Sequence, residues 1–207
     1  MASILKVDTI QDQSGNNIIN ENADTITIGA SGDTITVPTG ASLTVPNGGL
    51  TGQNYPAFSA LGNGEQSLSD ATETLVEFPN KQFDTDNCFD NTAGNYKFTP
   101  NVAGKYCLYF TLDPYSTTDD KLLKAAGYLY KNGTRINSNF YNFNQSGSSG
   151  ITAHNVPITQ SFIVEANGSS DYFQVKVYVD VSSGTPAIFG NTTTSQNLNF
   201  AGYRIGA

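Results

Sequence analysis

Three aspartates surround a cysteine in the run Asp84, Asp86, Cys88 and Asp90, the closest approach to a metal-binding pattern in this sequence. Ca²⁺ prefers oxygen ligands, and carboxylates close together in the chain can supply them. These three aspartates are therefore weak candidates for a calcium site. Because loop carboxylates are more often simply solvated, we expect no bound metal and no cofactor.

The patterns of catalysis are missing from the sequence. His154 is the only histidine, and it lies in a stretch rich in Ser, Gly and Asn, where an exposed loop histidine is the usual case. There is no GxSxG nucleophile motif, phosphate-binding P-loop, HExxH zinc motif or EF-hand loop. We expect no catalytic residue and no enzymatic activity.

Two cysteines, Cys88 and Cys107, are too few for a disulfide framework. A single bridge between them remains open, because spacing does not decide it. Synthesis in a reducing cytosol would favour two free, buried thiols.

The composition points to a surface protein without broad electrostatic binding. The 207 residues are 38% hydrophobic and only 14% charged, and the formal net charge is -8. A typical globular protein has about a quarter of its residues charged; here Asn, Thr, Ser and Gly provide the polarity instead. The acidic balance argues against nucleic-acid binding and against anionic membranes.

No stretch approaches the ~20 apolar residues of a membrane span, so we expect no membrane insertion. The opening residues Met1–Asp8 also lack the long apolar core of a signal peptide. A surface-type protein without a secretion signal would leave its cell by lysis. This combination favours a virion component over a secreted protein, and the expected location is the virion.

Residues 24–49 contain one short phrase three times, as DTITIGASG, DTITVPTGA and SLTVPNGG. The steps of nine and eight residues align two apolar columns, which are Ile26, Ile35 and Leu43, and Ile28, Val37 and Val45. Such a unit cannot bury its apolar face alone. Three chains wound about a common axis would close the open strand edges and bury these columns as a shaft core. The alternative is a small meander attached to the main domain.

The shaft is expected to lie between an anchor and a linker. Residues 1–23 are interpreted as a virion-anchoring segment, with Ile4, Val7 and Ile10 apolar at intervals of three, as in a helical turn or an irregular docking strip. A terminus that orders only within a trimer is the alternative. Residues 50–64 are rich in Gly and Pro and are interpreted as a linker or collar, in which the spacing of Tyr55, Phe58 and Leu61 suits a short helical turn or a packed plug.

Residues 65–207 carry nine short apolar or aromatic runs separated by turn formers, and no convincing helix. Asn132-Gly133 and Asn167-Gly168 lie between such runs, and an Asn-Gly pair in that position is a strong hairpin signal. Apolar and polar residues alternate through Phe173–Asp180, as in a half-buried strand. The predicted fold is all-β, a β-sandwich with a jelly roll as the leading variety.

Several pieces of this domain occur in the order of a known family. The first is Tyr96, Phe98, Pro100, Gly104 and Tyr106, the second is the Asn132-Gly133 turn, and the third is Phe200-Ala201-Gly202-Tyr203. Over residues 65–207 the sequence resembles the C1q-like/TNF-like jelly-roll family. The resemblance implies a compact homotrimer in which Phe98, Tyr106, Phe200 and Tyr203 lie in the core or at the trimer contact.

An extended polar loop at residues 141–155 departs from that family, and there a binding function would differ. The candidate receptor residues are Asn144, Ser148, His154 and Asn155. The neighbouring aromatics Phe140, Tyr141 and Phe143 could stack on sugars, although a core or interface role is favoured.

The N-terminal part resembles the openings of tail-fibre and structural proteins of marine bacteriophages, through residues 3–10 and the repeats. The combined hypothesis is a non-enzymatic homotrimeric fibre protein. Its N-terminus would bind a tail, neck or capsid protein of the virion, and its head would adhere to a polysaccharide or protein of the host surface. One alternative is a capsid decoration or head-fibre protein that stabilises the shell, and another is a secreted C1q/TNF-like binding module.

Overall fold

The computed structural model describes residues 9–11, 13–15, 17–22, 25–29, 31–43, 55–137, 139–143, 153–190 and 197–206. The chain divides into two compact units, Met1–Leu50 and Thr51–Ala207. The predicted residues Ile4, Val7, Val45, Asn144 and Ser148 lie outside the described residues. The described residues form no helix, and hence none that could cross a membrane.

The first unit contains a three-stranded antiparallel meander. Its strands are β1 (Thr9–Gln11), β2 (Asn17–Asn22) and β3 (Thr25–Ile28), in the order β1-β2-β3. Ile10, one of the three predicted anchor residues, lies opposite Ile19 in the β1–β2 pair. Of the two forms considered for this segment, the helical turn is wrong at Ile10, which lies in a strand, and the docking strip stays a prediction.

Of the three repeats, only the first contains a strand in the described residues. Thr25–Ile28 pairs with β2, whereas residues 33–38 and 41–43 form no strand. A strand needs a hydrogen-bonding neighbour, and within one chain β2 supplies it to the first copy alone. The column residues Ile26, Ile28, Ile35, Val37 and Leu43 are 44% to 70% exposed in the single chain. The meander therefore consists of two strands from the predicted anchor segment and one strand from the first repeat. It is not the meander of three repeats that was the alternative to the shaft.

The strands of the second unit, in chain order, are β4 (Ala57–Leu61), β5 (Gln66–Ser67), β6 (Thr72–Leu75), β7 (Asn80–Asp84), β8 (Phe89–Asp90), β9 (Lys97–Phe98), β10 (Ala103–Leu112), β11 (Pro114–Ser116), β12 (Leu122–Lys131), β13 (Thr134–Arg135), β14 (Phe140–Asn142), β15 (Ile158–Asn167), β16 (Phe173–Val181), β17 (Pro186–Ile188) and β18 (Asn199–Gly206). They form a five-stranded sheet β15-β10-β18-β4-β7 and a larger sheet β13-β12-β16-β9-β8, to which β14 adds at β12 and β6 at β16. A small third sheet has the order β11-β17-β5.

The connectivity is that of a jelly roll, which confirms the all-β prediction. The long strands β10, β12, β15, β16 and β18 alternate between the five-stranded sheet and the larger sheet along the chain. The last strand, β18, lies between β10 and the first strand of the unit, β4. Two packed sheets joined in this crossing order are the defining feature of a double Greek key.

The head begins earlier than the predicted boundary at residue 65. Ala57–Leu61 is a strand between β18 and β7, so it is neither a linker nor a helical turn. Phe58 and Ala60 point into the core with the period of two of a strand, and Tyr55 is exposed. The ring of Phe58 stacks on that of Phe98 at 4.3 Å between centroids. The spacing of three residues suggested a helix, but burial against the sandwich decided the conformation.

Aromatic rings fill the centre between the two sheets. Phe58 stacks on Phe89 at 4.9 Å and meets Phe200 edge-on at the same centroid distance. From the larger sheet, every second residue of β16 between Phe173 and Val181 is buried, as the alternation predicted. The inner side of the sheet that carries β10 and β18 is thus packed into the core, and its outer side lies at the surface of the unit.

Candidate functional site

The outer side of the five-stranded sheet presents apolar residues to solvent. On β10, Tyr106, Leu108 and Phe110 are fully buried between the sheets. Because successive side chains of a strand point to opposite sides, Cys107 and Tyr109 face outward. A strand that is apolar on both sides is typical of a sheet that is covered on both faces.

The strand register places further apolar residues beside these two. Cys107 lies opposite Ile163 of β15 on one side and Tyr203 of β18 on the other. Tyr109 lies in the next outward row, which continues through Ala201 and Ser59 to Phe83 of β7. We call Phe83, Cys107, Tyr109, Ile163 and Tyr203 the apolar face.

The apolar face is open to water in the single chain. Phe83, Tyr109, Ile163 and Tyr203 are 39% to 65% exposed, and the thiol-bearing Cys107 is half-buried among them. Single exposed apolar residues are ordinary, but a group on the three adjacent strands β15, β10 and β18, with Phe83 at the far edge of the same side, marks an interaction surface.

The outer side of the larger sheet also carries aromatic rings, but cations cover them. The guanidinium of Arg135 lies 4.5 Å from the ring centre of Tyr128, and Lys176 lies 4.5 Å from that of Tyr130. Lys124 lies 5.1 Å from the ring centre of Tyr178. Cations over ring faces satisfy the negative potential of the π-system.

Glu73 links one of these rings to one of these cations. Its carboxylate accepts the hydroxyl hydrogen of Tyr130 and lies 2.9 Å from the guanidinium of Arg135. None of the cation–ring contacts among the described residues involves Phe83, Tyr109 or Tyr203. The two outer sides therefore differ: cations lie over the rings of Tyr128, Tyr130 and Tyr178 on the larger sheet, and no such contact among the described residues covers the apolar face.

The four residues predicted for the core or trimer contact are divided between the two sides of the sheet. Phe98, Tyr106 and Phe200 are fully buried in the core, whereas Tyr203 belongs to the apolar face. The Tyr106 hydroxyl donates to the Val102 carbonyl at 2.6 Å, and burial raises the pKa of this phenol to about 12.

His154 and Asn155, the described members of the predicted receptor loop, lie at the end of the sandwich beside β11. Asn155 donates its side-chain amide to Asp113 Oδ1 at 2.8 Å. His154 Nδ1 lies 3.0 Å from Asp119 Oδ1, and 40% and 91% of the two side-chain areas are exposed. Catalytic pairs act in sites that exclude water, so this exposed pair is a surface contact and we assign it no catalytic role.

Two further aromatic residues, Tyr115 and Phe189, stack beside the His154 ring. The centroids of these two rings are 3.8 Å apart, and the ring planes are almost parallel. The centroid of the His154 ring is 5.6 Å from that of Tyr115. The Tyr115 hydroxyl donates to Glu65, and burial together with this hydrogen bond raises the phenol pKa to about 12.

Two of the three calcium candidates, Asp84 and Asp90, already accept hydrogen bonds from their own chain. Asp84 accepts the backbone N–H groups of Cys88 at 2.8 Å and Phe89 at 3.0 Å, and it pairs with Lys81 at 3.2 Å. Asp90 accepts both donors of Thr92. Within the described part of the chain, no group of three or more His, Cys, Asp or Glu residues is arranged to hold a metal ion.

The two thiols are free and differ in environment. Cys88 is buried, and burial is the main cause that raises its pKa above the ordinary thiol value. Cys107 is half-buried on the apolar face. No disulfide joins them.

Phe83, Tyr109 and Ile163 were not singled out from the sequence. Their signal was present in β10, where buried and exposed positions alternate yet both sets are apolar, as in Tyr106, Cys107, Leu108 and Tyr109. The partners on β7 and β15 could not be identified without the strand register, because they lie far from β10 in the chain.

Comparisons with known proteins give the following findings. No protein-family model and no curated protein matches the chain. Among solved structures, it is similar to murine APRIL (11% identity, 72% of this chain and 98% of that chain, TM-score 0.46) and to the globular domain of zebrafish complement 1qA (16% identity, 72% and 96%, TM-score 0.39). It is also similar to the TNF Eiger from S. frugiperda (10% identity, 72% and 92%, TM-score 0.44). At these identities the likeness concerns the fold alone, and the jelly roll is assigned here from the strand order described above.

Proposed function

We propose that this chain is a non-enzymatic structural protein of a bacteriophage virion, a homotrimeric fibre whose jelly-roll head adheres to the host surface. The observation that carries the proposal is the apolar face, in which four large apolar side chains are exposed on one side of the five-stranded sheet. Such a face is stable in water when another protein surface covers it.

Association in a ring follows if a different surface of the next chain covers the apolar face on β10 and β18. An interface between two different surfaces of identical chains is heterologous, and it closes as a ring when the rotation allows. A threefold ring is the closure that the C1q-like pattern of Tyr96, Gly104 and Tyr106 implies.

The first unit supports the fibre assignment. The apolar residues of the second and third repeats, among them Ile35, Val37 and Leu43, have no strand partner within the described residues of one chain and are exposed. Copies of the same repeat from neighbouring chains would supply both the missing hydrogen-bond partners and the missing apolar cover. Adhesion by three identical heads would then act through avidity, without any chemical step.

The decisive experiment measures the mass of the full chain in solution by light scattering. We expect three times the 22.1 kDa of one chain. Tyr109→Glu places a charge on the apolar face, where burial of an unpaired charge is costly, and it should lower the mass to that of the single chain. The matched control Thr134→Glu places the same charge at an exposed position of β13 and should leave the trimer intact. A wild-type mass of one chain, or equal masses for the two variants, would refute the role of the apolar face.

Attachment to the virion is tested by cryo-electron microscopy of particles. Density for the first unit at the tail would support the tail-fibre assignment. Density of this unit on the capsid would instead support the capsid-decoration alternative, and absence from particles would refute both.

A further inference from the structure

A pocket of about 300 Å³ lies between β14 and β15, at the side where the strand β14 meets the end strand of the five-stranded sheet. It is lined by Asn139, Phe140, Tyr141, Ile158, Thr159 and Gln160. Its volume is at the lower end of the range for small-molecule sites, so it suits a single ring-sized ligand.

The structure separates the three aromatics that the sequence placed together here. Phe143 packs against the core, and its N–H donates to the Leu123 carbonyl at 2.8 Å. Phe140 and Tyr141 remain 53% and 47% exposed and form walls of the pocket. The negative face of an aromatic ring attracts polarised C–H groups, which one face of a pyranose ring presents in a row.

The polar side of the pocket is oriented before any ligand arrives. Asn137 donates its side-chain amide to Gln160 Oε1 at 2.7 Å and to the Gly127 carbonyl at 3.0 Å. The same side chain accepts the Leu129 N–H at 2.7 Å, so it is fixed to β12. Gln160 is thereby held with its oxygen toward Asn137, and its Nε2 amide, for which we find no acceptor among the described residues, can donate to a ligand hydroxyl.

The lining also determines the charge of the ligand. None of the six lining residues is ionisable at neutral pH. The cation of Lys124 lies 4.4 Å from the ring centre of Phe140 and 5.1 Å from that of Tyr178, so these two rings already hold its charge. The lining itself supplies amide groups and aromatic rings but no charged side chain, which favours an uncharged polyhydroxyl ligand.

From this geometry we infer that Phe140, Tyr141 and Gln160 form a binding subsite for a neutral pyranose of a surface polysaccharide. One sugar face lies against the Tyr141 ring, and a ring hydroxyl accepts a hydrogen bond from Gln160 Nε2. The inference rests on the proposed adhesive function and names the ligand class of the head.

The test uses saturation-transfer NMR on the full chain with methyl glucoside, methyl galactoside and methyl mannoside as neutral probes, and with glucuronate as the acidic probe. We expect at least one neutral glycoside to bind, with the strongest transfer to the C–H protons of one face, and we expect weaker transfer to glucuronate. Tyr141→Ala and Gln160→Ala should each weaken this binding about tenfold. The control Tyr55→Ala removes a tyrosine that is 47% exposed, like Tyr141, but lies outside the pocket, and it should bind as the wild type does.

Several outcomes would overturn the subsite. They are no transfer to any neutral probe, preference for glucuronate, or equal binding by Tyr141→Ala and the wild type. A loss of trimer mass in Tyr141→Ala would show instead that this residue belongs to an interface between chains. Light scattering and adsorption to host cells report separately on the proposed function, because a trimer that adsorbs without binding a neutral glycoside refutes only the subsite.

Discussion

Tyr203 of β18 lies directly opposite Cys107 of β10, and Ile163 of β15 lies opposite the same cysteine on its other side. A free thiol thus lies in the middle of the exposed apolar row of the head. The position makes Cys107 a natural reporter of whether a second chain covers this face.

The first prediction concerns the two thiols. In the assembled protein we expect maleimide to label Cys107 slowly, and in Tyr109→Glu we expect faster labelling, because the covering chain is lost. Cys88 should stay unreactive in both, because it is buried and its raised pKa lowers the thiolate fraction. Mass spectrometry of the labelled peptides measures both rates. Equal labelling of Cys107 in the two proteins would contradict a covered apolar face.

The second prediction concerns Gly104, where β10 begins. Its φ is +146°, and an added Cβ would lie 2.3 Å from the Gly206 carbonyl oxygen. Gly104→Ala should therefore lower the free energy of unfolding by about 2–5 kcal/mol, from backbone strain and overpacking together. Urea unfolding at equal protein concentration measures the change.

The control for this change is Gly94→Ala. Gly94 has a φ of +83° and no atom within 4 Å of an added Cβ, so only the strain of a left-handed backbone is introduced there. We expect a loss of about 1 kcal/mol in that variant. A Gly104→Ala loss no larger than this would mean that the close approach to Gly206 is easily relieved.

The third prediction concerns Asp171, which joins the two Asn-Gly turns. Its carboxylate accepts the Asn132 side-chain amide at 2.7 Å and the Asn167 N–H at 3.0 Å, and it pairs with Lys131 at 2.9 Å. The hydrogen bond from Asn132, followed by that from Lys131, holds the pKa of this carboxyl below its ordinary value. A depressed carboxyl pKa contributes stability above the unfolded-state value, and this contribution is lost as the pH falls through the folded-state value.

Asp171→Asn should accordingly cost about 1–3 kcal/mol at pH 7, as expected for hydrogen bonds to a charged group. The difference from the wild type should be constant down to about pH 4 and should shrink below it. Urea midpoints at pH 7, 5 and 3 measure this dependence, with Asp180→Asn as the control. A difference that stays the same at pH 3 would show that the charge of Asp171 does not matter.

The fourth prediction concerns the shaft. Ile35 is 63% exposed in the single chain, so Ile35→Asp would have little effect on an isolated chain. If three chains cover the repeats, the same change places a charge in a narrow apolar core and should open it. Digestion of residues 1–50 by thermolysin should then be fast in Ile35→Asp and slow in both the wild type and Thr36→Asp. Equal digestion of all three proteins would contradict a buried column.

The fifth prediction concerns the anchor. Removal of residues 1–20 deletes β1 and most of β2 but no strand of the head. We expect the shortened protein to remain a trimer by light scattering and to be missing from purified virions. Normal incorporation, measured by quantitative mass spectrometry of particles, would remove the anchor assignment.

Much of the head could be predicted because its signals are local. Each of the nine apolar runs foreseen between residues 65 and 207 overlaps a strand, and both Asn-Gly pairs form turns that Asp171 ties together. The alternation of apolar and polar residues in β16 and the Asn-Gly turns depend on residues that are neighbours in sequence. They can therefore be predicted without knowledge of the fold.

The sequence prediction differs from the structure where a distant partner decides the conformation. The Gly and Pro content predicts a linker at residues 50–64, yet pairing with β18, some 140 residues later, makes Ala57–Leu61 a strand inside the sheet. The missing information was a long-range hydrogen-bonding neighbour. The predicted strands of the second and third repeats need neighbouring chains as partners, so they stay a prediction.

The all-β class, the positions of most head strands and the apolar character of the repeats can be predicted from the sequence, because period-two alternation and Gly-containing turns are properties of neighbouring residues. Which apolar residues stay uncovered depends on the fold. Tyr109 and Tyr128 are both tyrosines in apolar strands, but Arg135 covers the ring of Tyr128, and Tyr109 belongs to the exposed apolar face. That distinction arises from the register of strands brought together from across the chain, and it defines the surface on which the proposed function depends.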